Sequence, residues 1–267
     1  MIKADETELF QSALERGVFA NAAKILLSRD DLKGKIVIDL ACGDGRTTYL
    51  LRQKGAVVLP YDILPDHYKL EDRPMFADVN QALPIANQSA DLVILQEVIE
   101  HLPNQLFALE EIYRVLKPGG ELFLTTPSRS SLSARLAYLV FESENLKATP
   151  WGVVDGIWGH DEVRGSTYYG HLFLIGLQQL RALGGVAGFK STEVKRTEIS
   201  KSSLALMLFF YPFIFLLSIR ALSRDLKKYK EDPPYHAKYI EEKWTQFKLN
   251  INPWNLINRY FIAVLKK

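Results

Sequence analysis

The sequence predicts an α/β fold built on a mostly parallel sheet, and the order of its apolar segments indicates this class. An apolar run at residues 36–40 ends in a turn with two glycines, and a helix can begin at Arg46. Further apolar runs follow at 56–62 and 92–95, with helical or loop sequence between them. Strands that alternate with helices are typical of parallel sheets, which bind ligands at the carboxyl ends of their strands.

The composition sets the limits of this interpretation. The 267 residues are 48% hydrophobic and 24% charged, which fits one globular domain with additions, or one domain and a small second one. The net charge of +2 gives no global attraction to nucleic acid. The one cysteine, Cys42, excludes an internal disulfide and indicates a reducing compartment. Residues 1–6 lack a basic segment followed by an apolar run, so no signal peptide is predicted.

The first part of the chain predicts an amphipathic helix, or two short ones, over residues 4–28, with a break at Gly17. We assign residues 1–29 to a helical cap that precedes the core. The remaining predicted units are the core at 30–200, an apolar and basic insertion at 201–250 and the final strand of the core at 251–267.

The turn after the first strand predicts a ligand cradle. A glycine lets the backbone approach a ligand closely, and the first turn of the following helix offers free N–H groups, with Asp44 available as the N-cap. A dinucleotide-binding turn would need a third glycine where the chain has Thr48, and Asp39 would repel a phosphate. The cradle therefore suits a ligand with hydroxyls and a positive group.

The same segment resembles the first motif of the class I S-adenosylmethionine-dependent methyltransferases, D/E-x-G-x-G-x-G, with an alanine in place of the first glycine. It stands here as Asp39-Leu40-Ala41-Cys42-Gly43-Asp44-Gly45. The resemblance implies S-adenosylmethionine as the cofactor and a Rossmann-like seven-stranded mixed sheet, in the order 3-2-1-4-5-7-6, with helices on both faces. The cofactor-binding residues that it implies within the motif are Asp39, Ala41, Cys42, Gly43 and Gly45.

The predicted second strand, 56–62, ends in an acid and contains Pro60, which is awkward in a central strand. Asp62 follows Gly45 by 17 residues, near the spacing at which an acid reaches a ribose in such folds. By resemblance, Asp62 is the ribose ligand and Ile63 lies beside it; the alternative is a solvated aspartate in a loop. Over 64–74 the expected helix is short or absent.

Two further strands complete the predicted rim. Residues 75–78 predict a short third strand, and the resemblance implies that Asp78 and Val79 meet the adenine. The fourth strand, 92–95, brings Gln96 and Glu97 to the same carboxyl edge, so we place both among the cofactor-binding residues.

The second specific match to the family covers a helix at 104–116, a turn with one proline and two glycines, and a fifth strand at 121–126. The resemblance is strong over about 30–130 and weak over 165–200. Beyond it, residues 130–170 have the composition of a loop that shapes an acceptor pocket. The remaining predicted elements are a helix at 172–183, a sixth strand at 192–197 and, by resemblance, an antiparallel final strand at 260–265 that inserts beside the fifth.

Residues 202–219 contain no charged side chain, and their 18 positions are at the short end of what spans a bilayer. The strands on either side must pair in one sheet, so both ends lie on the same side, and Pro212 could kink a re-entrant or in-plane element. The basic segment 220–230 follows. We predict either peripheral contact of 202–230 with an anionic membrane, which would favour a lipid-linked acceptor, or a buried helical pair or homodimer contact. The expected location is the cytoplasm, with peripheral contact to the membrane.

Methyl transfer from a sulfonium is an in-line displacement, so the protein mainly positions the two reactants. A hydroxyl acceptor also needs a base within hydrogen-bond reach. The candidate bases are His101, His160 and His171, and each has a purely structural role as its alternative.

Glu97, Glu100 and His101 lie three and four residues apart, so on a helix they would share a face and could bind a divalent cation. This string resembles the metal-binding segment of quinone-biosynthesis O-methyltransferases and of small-RNA 2′-O-methyltransferases. The second group adds a distant histidine, a role open to His160 or His171. Because the same string occurs in relatives without a known metal, the cation stays a hypothesis and no residue is assigned as a ligand.

The predicted function is S-adenosylmethionine-dependent O-methylation of a small, quinone-like, glycan or lipid-linked acceptor. An RNA or protein methyltransferase is the first alternative, although the near-neutral charge and the lack of an extended basic groove count against nucleic acid as a partner. The second alternative is a non-catalytic cofactor-binding protein or a membrane-associated scaffold.

Overall fold

The computed structural model describes residue 11 and residues 17–143, 152–162, 165–228 and 236–267. Its strands are β1 (Ile36–Leu40), β2 (Val57–Asp62), β3 (Met75–Phe76), β4 (Ala90–Gln96), β5 (Leu116–Pro127), β6 (Ile157–Asp161), β7 (Ser166–Tyr169), β8 (Ser191–Lys195) and β9 (Tyr260–Lys266). Its α-helices are α1 (Val18–Leu27), α2 (Arg46–Gln53), α3 (Gln105–Val115), α4 (Leu132–Phe141), α5 (Val153–Gly156), α6 (Leu177–Ala187), α7 (Lys201–Lys228), α8 (His236–Ile251) and α9 (Pro253–Ile257).

Seven strands form one mixed sheet in the order β3-β2-β1-β4-β5-β9-β8, while β6 and β7 form a separate antiparallel hairpin. The pairs among β1 to β5 are parallel, and β9 is antiparallel to both β5 and β8. This confirms the predicted order 3-2-1-4-5-7-6, because the hairpin strands account for the difference in numbering.

The sheet buries both of its faces, as predicted, because alternate residues of its central strands point to opposite sides. On one side Ile38 and its neighbours pack with α3 and α6, where Leu109 and Leu180 are fully buried. On the other side Val37 packs with α1 and α2, through residues such as Leu26. The carboxyl ends of the parallel strands, together with the turn after β1 and the first turn of α2, form the rim on which the candidate site lies.

Pro60 is accommodated in β2 because its missing N–H faces the edge of β2 that β3 covers only in part. The neighbouring Tyr61 directs its carbonyl to the β1 side, where Cys42 N–H donates to it at 3.0 Å. Alternation therefore turns the nitrogen of Pro60 toward β3, which pairs only with Tyr61 and Asp62.

Several predicted elements differ from the described ones in extent. Of the predicted helix at 4–28, the described residues contain α1, which begins directly after Gly17 with its φ of 93°. The part at 4–10 and 12–16 lies outside the described residues. Within 64–74 the structure has only a 3₁₀ turn, Pro65–His67, as expected.

The apolar segment forms α7, one helix of 28 residues with Pro212 inside it. The strands before and after it pair with each other, since β8 lies beside β9 in the sheet. Helix α8 returns antiparallel along α7, as Asn250 donates to Ser218 at 2.7 Å and Lys243 pairs with Asp225 at 3.2 Å. By length and composition alone α7 could cross a membrane, and it is the one such helix among the described residues.

Candidate active site

The turn after β1 has three residues in the left-handed region, Ala41, Gly43 and Gly45, with φ of 59°, 56° and 88°. An alanine there costs about 1–2 kcal/mol relative to glycine, which is the physical reason for a glycine at this position of the motif. A Cβ on Gly43 would meet nothing within 4 Å, whereas one on Gly45 would lie 2.8 Å from the Tyr68 ring. Gly43 therefore borders open space, while Gly45 makes room for the aromatic ring that packs on the turn.

The start of α2 differs from the prediction in one respect, because Gly45 and not Asp44 occupies the N-cap position. Asp44 instead accepts a hydrogen bond from the Arg46 N–H at 3.1 Å and forms an ion pair with the Arg46 guanidinium at 2.6 Å. The same guanidinium lies 5.3 Å from the ring centre of Phe19 in α1. The helical cap is thus connected to the glycine turn through Arg46.

Asp62 stands at the carboxyl end of β2, and its carboxylate is only 6% exposed. Its Oδ2 accepts from the Gly43 N–H at 2.8 Å, and its Oδ1 accepts from the Leu64 N–H at 2.7 Å. An ionised carboxylate has about four acceptor positions, so two remain for a ligand. The half-buried Ile63 follows on the same edge. Asp62 therefore braces the turn and keeps the capacity to bind a diol.

Asp39 is almost fully buried, and Thr48 donates a hydrogen bond of 2.6 Å from its hydroxyl to the Asp39 carboxylate. Burial raises the pKa of Asp39 to about 6, although the Thr48 hydrogen bond opposes this. This bond explains why a threonine stands where a dinucleotide-binding turn has its third glycine. Burial likewise raises the pKa of the Cys42 thiol, so this side chain is neutral.

The adenine end of the predicted site is built from buried side chains. Asp78 accepts from the Asn80 N–H at 2.9 Å, and Val79 is buried beside it. Gln96 donates from its Nε2 to the Thr47 hydroxyl at 2.7 Å. The buried Oε1 of Gln96 and Oδ1 of Asn80 have no hydrogen-bond partner among the described residues. An unsatisfied buried acceptor costs about 1–3 kcal/mol, so this edge fits a ligand that brings hydrogen-bond donors, as a nucleoside does.

Two glutamates follow β4, the half-buried Glu97 with a strained backbone and the fully buried Glu100. Glu97 has a φ of 54° and accepts from the Thr125 hydroxyl at 2.9 Å, while Glu100 accepts from the Thr126 hydroxyl at 2.8 Å. Burial raises the pKa of both carboxyls, and the charge of Glu97 raises that of Glu100 further. The Oε1 of Glu100 has no partner among the described residues. The pair is therefore suited to hold a proton or a cation.

Two of the predicted bases come together beside Glu100. The rings of His101 and His171 have centres 4.9 Å apart, and one ligand atom from each of His101, His171 and Glu100 lies within 4.8 Å of the other two. The Nδ1 of His101 is 2.8 Å from the Tyr169 carbonyl oxygen. Because a carbonyl can only accept, Nδ1 carries the proton in this contact and Nε2 keeps its lone pair. Trp158 stacks on the His101 ring at 5.0 Å.

The group differs from the hypothesised metal ligands Glu97, Glu100 and His101. Residues 99–101 form a 3₁₀ turn at the end of a strand, so the three side chains do not share an α-helical face. Glu97 is bonded to Thr125 and lies outside the group of three, which contains His171 instead. His160 is exposed on β6, bonds the Thr167 hydroxyl at 3.0 Å and also lies outside the group.

The sequence interpretation missed the hydroxyl side chains that support this rim. They are Thr47 and Thr48 in the first turn of α2, and Thr125 and Thr126 near the end of β5. The two threonines at the carboxyl end of the apolar strand β5 are a sequence signal that could have placed β5 among the strands that contribute side chains to the rim. The stacking of Trp158 on His101 has no local signal, since the two residues are far apart in sequence.

Comparison with known proteins identifies the family to which the chain belongs. The family model described as "Methyltransferase domain" matches residues 10–194, more than half of the chain. The chain is 31% identical over 134 residues to the mitochondrial ubiquinone biosynthesis O-methyltransferase of Rattus norvegicus, covering 45% of this chain and 39% of that protein. It is 30% identical over 140 residues to the ubiquinone biosynthesis O-methyltransferase of Pseudomonas entomophila, covering 48% of this chain and 59% of that protein. The match thus spans less than two thirds of either relative.

The fold has a counterpart among solved structures. A SAM-dependent methyltransferase from Archaeoglobus fulgidus superposes with a TM-score of 0.52 at 15% identity, covering 98% of this chain and all of that one. An S-adenosylmethionine-dependent methyltransferase from Listeria monocytogenes superposes with a TM-score of 0.51 at 13% identity, covering 93% of this chain and 96% of that one. At these identities the likeness concerns the fold.

Proposed function

The chain belongs to the class I S-adenosylmethionine-dependent methyltransferases, and from this membership we propose that it transfers the cofactor's methyl group to a hydroxyl oxygen of a small or lipid-linked acceptor. The observation that carries the proposal is the position of His101 and His171. The two rings lie together beside Glu100, in the segment that follows β4, and the carboxyl end of β4 belongs to the same rim as the cofactor-binding motif. A base beside a methyl donor is what hydroxyl methylation requires.

Cofactor binding in this proposal uses the side chains and backbone of the rim. Asp62 accepts from the ribose hydroxyls, and Asp78 and Val79 border the adenine. The open space at Gly43 admits the nucleoside close to the backbone. Gln96 offers its unpaired Oε1 to a donor on the cofactor. The bound cofactor supplies an electrophilic methyl group on a sulfonium. The remaining contacts in the proposal are Asp39, Ala41, Cys42 and Gly45 in and beside the turn, and Ile63 and Glu97 directly after β2 and β4.

Proton removal in this proposal falls to His101. The Tyr169 carbonyl holds the ring through Nδ1, so in the neutral imidazole Nε2 is the basic nitrogen that accepts the proton of the acceptor hydroxyl. The acidic neighbour Glu100 and the ring of His171 can stabilise the resulting imidazolium or pass the proton on. His160 stays a third candidate that would need the β6–β7 hairpin to move.

The proposed acceptor is a phenolic or quinol-like ring that carries an apolar chain. The similarity to proteins named for ubiquinone biosynthesis supports this class. The exposed side chain of Trp158, which stacks on His101, also supports it. Such an acceptor partitions into lipid, so we propose a cytoplasmic protein with peripheral membrane contact. A methyltransferase for RNA or protein, and a non-catalytic cofactor-binding scaffold, are the alternatives that the experiment separates.

A divalent cation at Glu100, His101 and His171 is a second proposal. One carboxylate and two imidazoles form a ligand set used for zinc, manganese and iron, and the unpaired Oε1 of buried Glu100 fits a cationic partner. A cation there would lower the pKa of a coordinated acceptor hydroxyl, so a weaker base would suffice to remove its proton.

The test is calorimetry of the chain with S-adenosylhomocysteine, followed by transfer of labelled methyl from S-adenosylmethionine to catechols and to quinols with and without an isoprenoid chain. We expect binding and label in an ether product. Binding without turnover on any hydroxyl would favour the scaffold, and label in added RNA or protein would favour those alternatives. If the folded chain gave no heat of binding with S-adenosylhomocysteine in the calorimeter, the proposal would be overturned.

A further inference from the structure

Helix α7 leaves a long apolar face in solvent. The outward side chains of its first two thirds include Leu208, Phe209, Phe213 and Leu216, which are 80%, 66%, 55% and 62% exposed. Only 6% of its most apolar 18-residue stretch is buried. An exposed apolar surface of this size on a folded domain marks a binding surface.

Both ends of α7 are fixed to the same globular core. Near its start, Ser203 is fully buried and shares a hydroxyl hydrogen bond of 2.8 Å with Ser133 of α4. Nearer its end, Leu222 is buried and lines the same cavity as Ala182 of α6. The two positions are about 28 Å apart at 1.5 Å per residue. The helix therefore lies along the domain, and a transmembrane orientation would carry the core into the hydrocarbon.

The outward face changes from apolar to basic along the helix. Positions 209, 213, 216, 220, 224 and 227 follow each other at helical spacing and read Phe, Phe, Leu, Arg, Arg, Lys. Arg220, Arg224 and Lys227 are exposed. The sequence has no aspartate or glutamate from 199 to 224, and the next acid, Asp225, is paired with Lys243. The face thus complements a surface that is apolar and negatively charged.

We propose that α7 docks in the plane of an anionic phospholipid bilayer. The outward side chains of Leu208, Phe209, Phe213 and Leu216 reach the acyl chains, and those of Arg220, Arg224 and Lys227 reach the anionic headgroups. The exposed Leu139 and Phe141 of α4, the helix that packs on the start of α7, extend the apolar surface. The proposal concerns binding to lipid alone, so it stands or falls independently of methyl transfer.

The first test is co-flotation of the full chain with phosphatidylcholine vesicles, with and without a third of phosphatidylglycerol. We expect flotation that depends on the anionic lipid and weakens with salt. Leu208→Gln with Leu216→Gln should reduce partitioning at least about tenfold, because two exposed apolar anchors are lost. Arg220→Gln with Arg224→Gln should reduce it about thirty-fold on anionic vesicles only.

The matched controls make the same chemical changes away from α7. Val186→Gln replaces an exposed apolar side chain on α6, and Lys24→Gln with Lys33→Gln removes two exposed charges that lie outside α7. Both controls should float like the parent. Equal flotation on neutral vesicles, equal loss in the controls, or no flotation at all would overturn the proposal. A dimer that the α7 variants dissociate, without flotation, would show that a second copy covers this face.

The second test measures depth with an environment-sensitive label on Leu208→Cys or Leu216→Cys, since the native Cys42 is buried. An in-plane helix places both labels at the same depth. A spanning helix would separate their depths by about 12 Å, the rise of eight residues, and that result would overturn the proposal.

Discussion

The carboxylate of Asp62 accepts a hydrogen bond of 2.8 Å from the backbone N–H of Gly43. This bond joins the carboxyl end of β2 to the turn after β1, so the acid predicted to bind a ribose also fixes the glycine predicted to admit the ligand. The geometry of the turn and the predicted ribose binding therefore involve the same side chain.

Replacing Asp62 by alanine should weaken S-adenosylhomocysteine binding by about a hundredfold or more, because two charge-assisted hydrogen bonds to the ribose are lost. Calorimetry measures the change in Kd. Asp66→Ala is the control, since Asp66 is exposed on the neighbouring 3₁₀ turn, and it should bind like the parent. Equal affinity for both variants would remove Asp62 from the ribose site.

Alanine variants of the two glycines in the turn should affect different properties, cofactor binding for Gly43 and stability for Gly45. In Gly43→Ala the new methyl group enters open space where the nucleoside is expected, so cofactor affinity should fall at least tenfold with about 1 kcal/mol of stability lost to the left-handed conformation. In Gly45→Ala the methyl group would meet the Tyr68 ring at 2.8 Å, so unfolding should become easier by about 2–3 kcal/mol. Urea unfolding and calorimetry together test the pair, and a reversed pattern would contradict the assignment.

Asp39 should make folding less favourable as the pH rises. Its folded pKa of about 6 lies above its ordinary value of 3.8, so the folded state binds the proton more tightly. Its contribution is fully present below about pH 4 and is lost as the pH rises to about 6, a change of about 3 kcal/mol. Asp39→Asn keeps an acceptor for Thr48 but cannot ionise. The free energy of unfolding of this variant, minus that of the parent, should therefore increase between these pH values and then stay constant.

His101→Asn should lower kcat by about a hundredfold or more while cofactor binding stays unchanged. The asparagine amide can still donate to the Tyr169 carbonyl, as Nδ1 does, but it offers no base at the Nε2 position. His160→Asn is the control on the exposed hairpin and should keep its activity. If His160→Asn lost activity while His101→Asn retained it, His160 and not His101 would be the base.

Chelation tests the cation at Glu100, His101 and His171. If a divalent ion assists transfer, activity should fall in excess chelator and return with added manganese or iron(II), and Glu100→Gln should bind the ion at least tenfold more weakly by calorimetry. Full activity in chelator would reject the cation and leave His101 as the base. Because Glu100 is buried with an unpaired oxygen, its glutamine variant should remain folded.

Local sequence was sufficient for the first five strands of the sheet, whereas the hairpin strands β6 and β7 lie in a region predicted as a loop. The apolar run that ends at Leu40, its glycines and the acid at Asp62 each follow from short-range pattern, because a parallel strand and its turn are recognisable within about ten residues. The order of the sheet came from the family resemblance, and the observed pairing agrees with it. The N-cap at Gly45 and the 3₁₀ turn at 99–101 were missed, because neither has a distinctive local signal.

The sequence by itself determined that the sheet has a carboxyl edge lined with acids. It also determined that an apolar segment with a basic end lies between the last two strands along the chain. Only the tertiary structure decided that His171 and Trp158 meet His101, and that α7 lies with its apolar face outward. The reason is physical. Periodicity records which side of an element is apolar, whereas the partner of that side depends on contacts between residues that are distant along the chain.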